Sequence, residues 1–366
     1  MKQQLLSTLF IALLTPLGAW AALGVGDTFA VGGITYKVTS TNPQEVQVGD
    51  GKNIAVSTGT TGAINIPATV TGTDAISYAV TSIGDYSFYQ VTGMTSVTIP
   101  SSVKSIVKYA FYGCKGLAAV HITDLAAWCN MDFQHDGMKI LIRNGRPVDY
   151  YNPLFYAPLF VNGTEVTDLV IPSSVTSISD NVFTCSQTIR SVTIGNNVTT
   201  IGSAAFSNCI NLTSLSLGNS VKTIGSSAFY SCSSLPSVII PSLVDSIGAS
   251  AFGSCPALSV IKVENGNKTF DSRNNSNAII KTATNMLIQG CKSTTIPTTV
   301  TAIGRSAFRD CNGITTIVIP NSVKDIGSYA FEGCTALASV TIPNSVGNIG
   351  SYAFEGCTAL TSVTHI

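Results

Sequence analysis

Ala338 to Leu360 reads ASVTIPNSVGNIGSYAFEGCTAL, and phrases of this form recur through most of the chain. With Leu337 in front the unit is L-x-S-V-x-I-P-x-S-V-x-x-I-G-x-x-A-F-x-x-C-x-x-L. The phenylalanine that closes I-G-x-x-A-F, or a variant of it, recurs at one constant interval. It does so from Phe88 to Phe111, from Phe183 through Phe206 and Phe229 to Phe252, and from Phe308 through Phe331 to Phe354. A fixed period of about 20 to 29 residues marks a solenoid in which each repeat is one coil, able to bury its apolar face only against neighbouring coils.

Within the unit, L-x-x-V-x-I alternates at period two, so Val340 and Ile342 share one face while Ser339 and Thr341 share the other, as in a β-strand. Proline follows the strand at Pro100, Pro172, Pro241, Pro297, Pro320 and Pro343. Lacking an amide proton, it ends each ladder position. Glycine follows the second short apolar run at Gly84, Gly202, Gly225, Gly248, Gly304, Gly327 and Gly350. Its freedom to adopt positive φ suggests a turn there. The fold class expected is a β-rich leucine-rich repeat solenoid of 23-residue coils with a continuous parallel sheet and little regular helix.

Lys2, the apolar run Leu5 to Leu14 and Ala19-Trp20-Ala21 have the three regions of a secretory signal peptide cleaved after Ala21. The run is too short to span a bilayer. No cysteine lies just behind the cut, and no later stretch is long and apolar enough for a membrane helix, so the expected location is exported: secreted, surface-bound or periplasmic. Nineteen basic residues balance nineteen acidic ones, which provides no basic stripe for nucleic acid. Only 10% of residues are charged, so hydroxyl and amide groups must make up most of the surface.

Ten cysteines in an exported chain suggest disulfides. Here Cys114, Cys209, Cys232, Cys255, Cys311, Cys334 and Cys357 each fall three residues after a repeat phenylalanine, and Cys185 falls one place earlier. A repeat-locked position is a core position, and the expectation is a column of buried free thiols. No C-x-x-C pair offers a zinc site.

The organisation expected is a signal peptide over 1–21, an N-terminal β cap over 22–62 and the solenoid over 63–366, with insertions at about 124–165 and 264–291. In the cap, Thr28 to Val31, Ile34 to Val38 and Glu45 to Val48 read as strands, the first two joined by Gly32-Gly33. Asn144-Gly145, Asn162-Gly163 and Asn265-Gly266 are hairpin signals. The sequence stops inside a coil after LTSVTHI, and the expectation is either a strand edge covered by self-association or a partner, or a truncated gene product.

The phrases IPSSVKSIVKYAFYGCKGL, IPSSVTSI, IPNSVKDIGSYAFEGCTAL and IPNSVGNIGSYAFEGCTAL resemble the BspA-like leucine-rich repeats of bacterial surface and secreted proteins. ITDLAAWCNMDF and NAIIKTATNMLIQGCKSTTIP resemble insertions common in that family. The resemblance runs from about Ile66 to Ile366 and implies a secreted or cell-surface binding protein, with adhesion to host proteins or other bacteria among its members' roles. No anchor, sorting domain or immunoglobulin-like module is evident in this chain.

The candidate binding face is the outward strand position, which places Thr98, His121, Val170, Thr193, Ser216, Ile239, Thr295, Val318, Thr341 and Thr364 side by side. The plainer reading is that hydroxyl side chains keep a β surface soluble. A second candidate is the aromatic insertion, where Trp128, Tyr150, Tyr151 and Tyr156 could stack on sugars or anchor a protein, or simply fill a core. Asp132, His135 and Asp136 are close enough in sequence for an acid–base or metal cluster, yet no metal or hydrolase motif surrounds them, and solvated charges in a turn-rich insertion explain them more simply. The expected function is non-enzymatic recognition of a protein partner, without cofactor or metal. The alternatives are a glycan-binding module and, more distantly, a secreted hydrolase.

Overall fold

The computed structural model describes residues 21–133, 142–143, 146–147 and 152–365. All but the last residue of the expected export signal, together with His135, Asp136, Asn144-Gly145, Tyr150 and Tyr151, lies outside the described residues.

The chain forms a β-solenoid of about 12 turns with almost no helix. Each regular coil contributes two strands. The longer follows the S-V-x-I phrase: Ser339–Ile342 buries Val340 and Ile342 and leaves Ser339 exposed, as period-two alternation requires. It pairs in parallel with Thr316–Val318 on one side and Ser362–His365 on the other. Strands of the same kind form three further parallel sheets, Met94–Ile99 with Ala119–Ile122 and Leu159–Val161, Asp168–Val170 with Ser191–Thr193 and Ser214–Ser216, and Ser237–Ile240 with Val260–Val263, so the sheet expected to be continuous is divided into segments along the stack. A second parallel ladder is built from two-residue strands such as Ser177–Ile178, Thr200–Ile201, Thr223–Ile224 and Ser246–Ile247. Between the two strands proline closes a β-turn: the amides of Val103, Val175, Val244, Val300, Val323 and Val346 each donate to the proline carbonyl three residues back.

A third set of hydrogen bonds ties the A-F turns together. The amides of Phe88, Phe183, Phe206, Phe229, Phe308 and Phe331 donate to the carbonyls of Ala110, Ala205, Ala228, Ala251, Ala330 and Ala353 in the next coil. This sets the phenylalanine rings face to face: Phe206 and Phe229 have centroids 5.2 Å apart at 3°, and Phe229 and Phe252 5.3 Å apart at 1°. All ten cysteines are free thiols. Those of Cys114, Cys209, Cys232, Cys255, Cys334 and Cys357 donate to the carbonyl of the preceding coil's phenylalanine, 26 residues back, at 3.0 to 3.3 Å. The position therefore needs a small apolar group that can still donate weakly, which a thiol supplies.

The repeat glycines have a different role from the one expected. None of Gly202, Gly225, Gly248, Gly327 and Gly350 has positive φ. A Cβ on Gly225 would lie 2.5 Å from the backbone of Gly202 and Ser203, and one on Gly248 2.3 Å from Ser226 N, so glycine is required by the close approach of stacked backbones. Positive φ falls instead two residues before each phenylalanine, on Tyr86, Tyr109, Asn181, Ala204, Ser227, Ser250, Ser306, Tyr329 and Tyr352.

Ahead of the first coil, Thr28–Val31, Ile34–Thr41 and Gln44–Val48 form an antiparallel meander, with Gly32 and Gly33 both at positive φ in its first turn. Gln44–Val48 then pairs in parallel with Ser77–Ile83 and so joins the second ladder. Asn162-Gly163 makes the expected two-residue hairpin turn between Phe160↔Glu165 and Val161↔Thr164. Asn265-Gly266 does not; the hairpin of that insertion is Ile279–Lys281 with Met286–Gln289, turning through Thr282 to Asn285. Here the apolar core divides. Ile279 belongs to the body that begins at Phe29, while Ala278 and Ile280 belong to the one that ends at Ala353.

Candidate binding surface

Strand register aligns the outward positions as the period-two pattern requires. Thr98 pairs with His121, Val170 with Thr193, Thr193 with Ser216, Val318 with Thr341 and Thr341 with Thr364. Thr295 is exposed but lies in no strand, because the coil around it is rebuilt by the Ile279–Gln289 hairpin. Two members of the row escape the repeat pattern. Phe160 pairs with His121, their rings 5.0 Å apart, and Lys262 pairs with Ile239. Neither strand is followed by proline; only their period-two alternation signals them.

The face is hydroxyl-rich but not uniformly polar. Val170 is 62% exposed, Ile239 51% and Val318 76%, so three β-branched side chains stand out from a surface of Thr and Ser. Beside the row Ser191 Oγ donates to Asp168 Oδ1, and within it Thr98 Oγ1 donates to Asn65 Oδ1 at 2.7 Å. Such cross-coil bonds hold side chains flat against the sheet and lower the entropy a partner must remove.

The aromatic insertion separates into different fates. Trp128, a candidate for stacking on a ligand, is 1% exposed, on the short helix Leu125–Cys129 that Asp124 caps through the amides of Ala126 and Ala127. Its indole N–H donates to Val182 O at 3.1 Å and its ring meets Phe133 edge-on, so it is a core residue. Tyr156 is half-buried; its hydroxyl accepts from Gly113 N at 2.8 Å and its ring packs edge-on against Phe155. Tyr150 and Tyr151 lie outside the described residues.

A further aromatic cluster stands outside the candidates read from the sequence. Tyr86 stacks on Tyr109 at 5.3 Å and Tyr89 on Tyr112 at 5.0 Å, with Tyr86 and Tyr89 edge to face at 5.5 Å. Its signal is the same repeat interval at positions flanking the phenylalanine, seen again in Tyr329 and Tyr352, which stack at 5.2 Å. Arg305 lies over the Tyr329 ring, 4.7 Å from its centroid, as a cation–π pair.

Among the described residues no group of three or more His, Cys, Asp or Glu could hold a metal ion. Burial pushes the thiols of Cys114, Cys129, Cys209, Cys255 and Cys334 up to about 12, which removes them as nucleophiles near neutral pH. No helix of the described residues is long and apolar enough to cross a membrane.

A stack of short parallel strands, one coil per sequence repeat, defines a leucine-rich repeat protein. Residues 74–134, 155–281 and 285–365 match the BspA type leucine rich repeat region in six copies, and the chain belongs to that family. Among solved structures it is similar to a leucine rich cell surface protein of Faecalibacterium prausnitzii A2-165, with 24% identity, a TM-score of 0.59, and coverage of 93% of this chain and 94% of that one. It is also similar to the pneumococcal vaccine antigen PcpA, with 21% identity, a TM-score of 0.55, and coverage of 94% and 82%. At these identities the likeness is one of fold. No curated protein sequence matches the chain.

Proposed function

We propose that this protein is an exported, non-enzymatic recognition protein of the cell envelope that binds an extracellular protein partner through the outward face of its longer-strand ladder. The observation that carries the reading is the exposure of Val170, Ile239 and Val318 at outward positions of three successive hydroxyl-rich sheet segments. Apolar side chains on an ordered polar surface are where protein contacts gain most. Family membership agrees with a binding role. The cell-surface description of one structural relative is consistent with export, which the reading places on residues 1–21, with 22–62 as a cap and 63–366 as the binding solenoid. Tyr156, with Tyr150 and Tyr151, is the second contact region proposed; Trp128 is not part of it. A second copy of the chain is a further partner the reading admits.

The test is capture of purified matrix and serum proteins by the chain lacking residues 1–21, compared with the Val170→Asp, Ile239→Asp, Val318→Asp triple variant. Saturable binding of at least one protein, lost in the variant at unchanged melting temperature, is expected. Binding that survives the triple variant would move the contact elsewhere on the molecule.

A further inference from the structure

At the edge where three coils begin their longer strands, Glu165, Thr167, Gln187, Arg190, Asn211 and Thr213 line an open cleft of about 570 Å³, within the roughly 300 to 1,000 Å³ typical of ligand sites. We propose that this cleft binds a neutral oligosaccharide.

The cleft is built by register. Asp168, Ser191 and Ser214 are ladder partners, so the residues just before them, Thr167, Arg190 and Thr213, form a row across three coils. Their backbones are bonded in the same order: Arg190 N donates to Thr167 O at 2.7 Å, and Thr213 N donates to Arg190 O at 2.8 Å. Thr188, Asn211 and Ser234, spaced by the same repeat interval, form the second row. Two parallel rows thus run along the solenoid axis, with neighbouring members about 4.8 Å apart, the strand spacing.

The hydrogen-bonding state of the lining points to its ligand. Thr188 Oγ1 donates to Val166 O and Thr213 Oγ1 to Arg190 O, both at 3.1 Å, and Asn211 Nδ2 donates to Gln187 O at 2.6 Å. The two hydroxyls have placed their only protons within the protein and present lone pairs to the cleft, while Asn211 is held in place with one N–H and its carbonyl oxygen left to offer. The side chains of Arg190, Gln187 and Glu165 have no hydrogen-bond or ion-pair partner among the described residues, whereas Arg273 and Arg309 are paired with carboxylates and Arg305 lies on a ring. The cleft therefore offers fixed acceptors, a guanidinium and an amide as donors, and one carboxylate.

A sugar hydroxyl both donates and accepts, and vicinal hydroxyls span adjacent groups in a row, so a polyol satisfies a lining of mixed sign. An anion would meet Glu165 and a cation would meet Arg190. No aromatic or large aliphatic side chain lines the cleft, which disfavours an apolar ligand. Recognition led by hydrogen bonds in an open cleft is weak, with Kd in the range of about 1 mM.

This site is separate from the outward row and does not rest on the reading above. The experiment titrates the chain lacking residues 1–21 with neutral tetrasaccharides of glucose, mannose, galactose and N-acetylglucosamine, followed by NMR chemical shifts and calorimetry. Saturable binding of at least one is expected. Arg190→Gln and Glu165→Gln should each weaken it about tenfold or more at unchanged melting temperature, because both side chains are exposed. Val318→Asp should leave it unchanged. The proposal is overturned if none of the four saturates at about 10 mM, ten times the expected Kd. It is equally overturned if binding survives both cleft variants.

Discussion

The indole N–H of Trp128 donates to the carbonyl of Val182, the position that in regular coils receives the amide of the preceding phenylalanine. Val182 stands directly before Phe183 as Ala205 stands before Phe206, and Ala205 O accepts from Phe183 N. The coil before Phe183 has no repeat phenylalanine, and the buried Trp128 supplies the missing donor to this carbonyl. Asn152 Nδ2 gives Val182 O a second donor at 3.2 Å and bonds Asn181 O at 2.8 Å. Trp128→Phe should therefore cost about 1 to 3 kcal/mol in urea unfolding. Combined with Asn152→Leu it should cost more than the sum of the two changes, since Val182 O then has no donor. Additive losses would show that the two donors act independently.

The glycine column makes a prediction that separates close approach from turn geometry. Gly225→Ala places a methyl 2.5 Å from the preceding coil's backbone, which cannot yield without parting the ladder. A loss of about 1 to 3 kcal/mol or more is expected. Gly195→Ala, where nothing lies within 4 Å, should shift the melting temperature by little. Equal effects at the two positions would refute the stacking argument.

Buried thiols resist both reagents and alkali. In native protein at pH 8 a disulfide reagent should titrate Cys357 first, because it is the least buried of the ten, and all ten only after unfolding. Burial raises Cys209 from an ordinary value near 9 to about 12 in the folded chain. Below pH 9 both states hold the proton and the thiol's contribution is complete. Between pH 9 and 12 the unfolded chain loses the proton and the folded chain keeps it, so stability falls as pH rises, by up to about 1.4 kcal/mol per pH unit for each such group. Cys209→Ala should flatten the decline of the urea midpoint over that window, whatever its cost at pH 7.

Position in the stack should grade the cost of losing a ring. Phe229 is fully buried between Phe206 and Phe252, and Phe229→Ala is expected to lose about 3 to 5 kcal/mol. Phe354 is only half-buried and stacks on Phe331 alone among the described residues. Phe354→Ala should lose clearly less, as read from melting curves of the two variants side by side.

The regular coils were legible because one physical demand, a filled core layer per coil, repeats at one spacing. Phe206, Val221, Cys232 and Leu235 could be assigned inward by position alone, and all are fully buried. The reason for glycine at Gly225 was not legible, because the atoms it avoids belong to the preceding coil, at Gly202 and Ser203. Trp128 stayed between two readings, ligand contact and core filling, for a related reason: the carbonyl that decides between them lies 54 residues later. The outward row could be listed from the strand phrase, but the cleft at Arg190 could not. It depends on which side chains have already spent their protons on neighbouring backbone, and periodicity carries no record of that.

The strand Ile279–Lys281 sends Ile279 into one apolar body and Ile280 into the other, which gives the molecule a seam. Cooperativity in a solenoid passes only between adjacent coils, and across this seam it passes through the pairing of Met286–Gln289 with Ala302–Ile303 and the hydrogen bond from Tyr230 Oη to Asp310 as well as through side-chain packing, so the smaller block from Ala278 to Ala353 should give way first. The N-terminal block would still hold the Arg190 cleft and the Thr98 to Ile239 part of the outward row, so a preparation half melted by calorimetry could retain much of its capacity to bind.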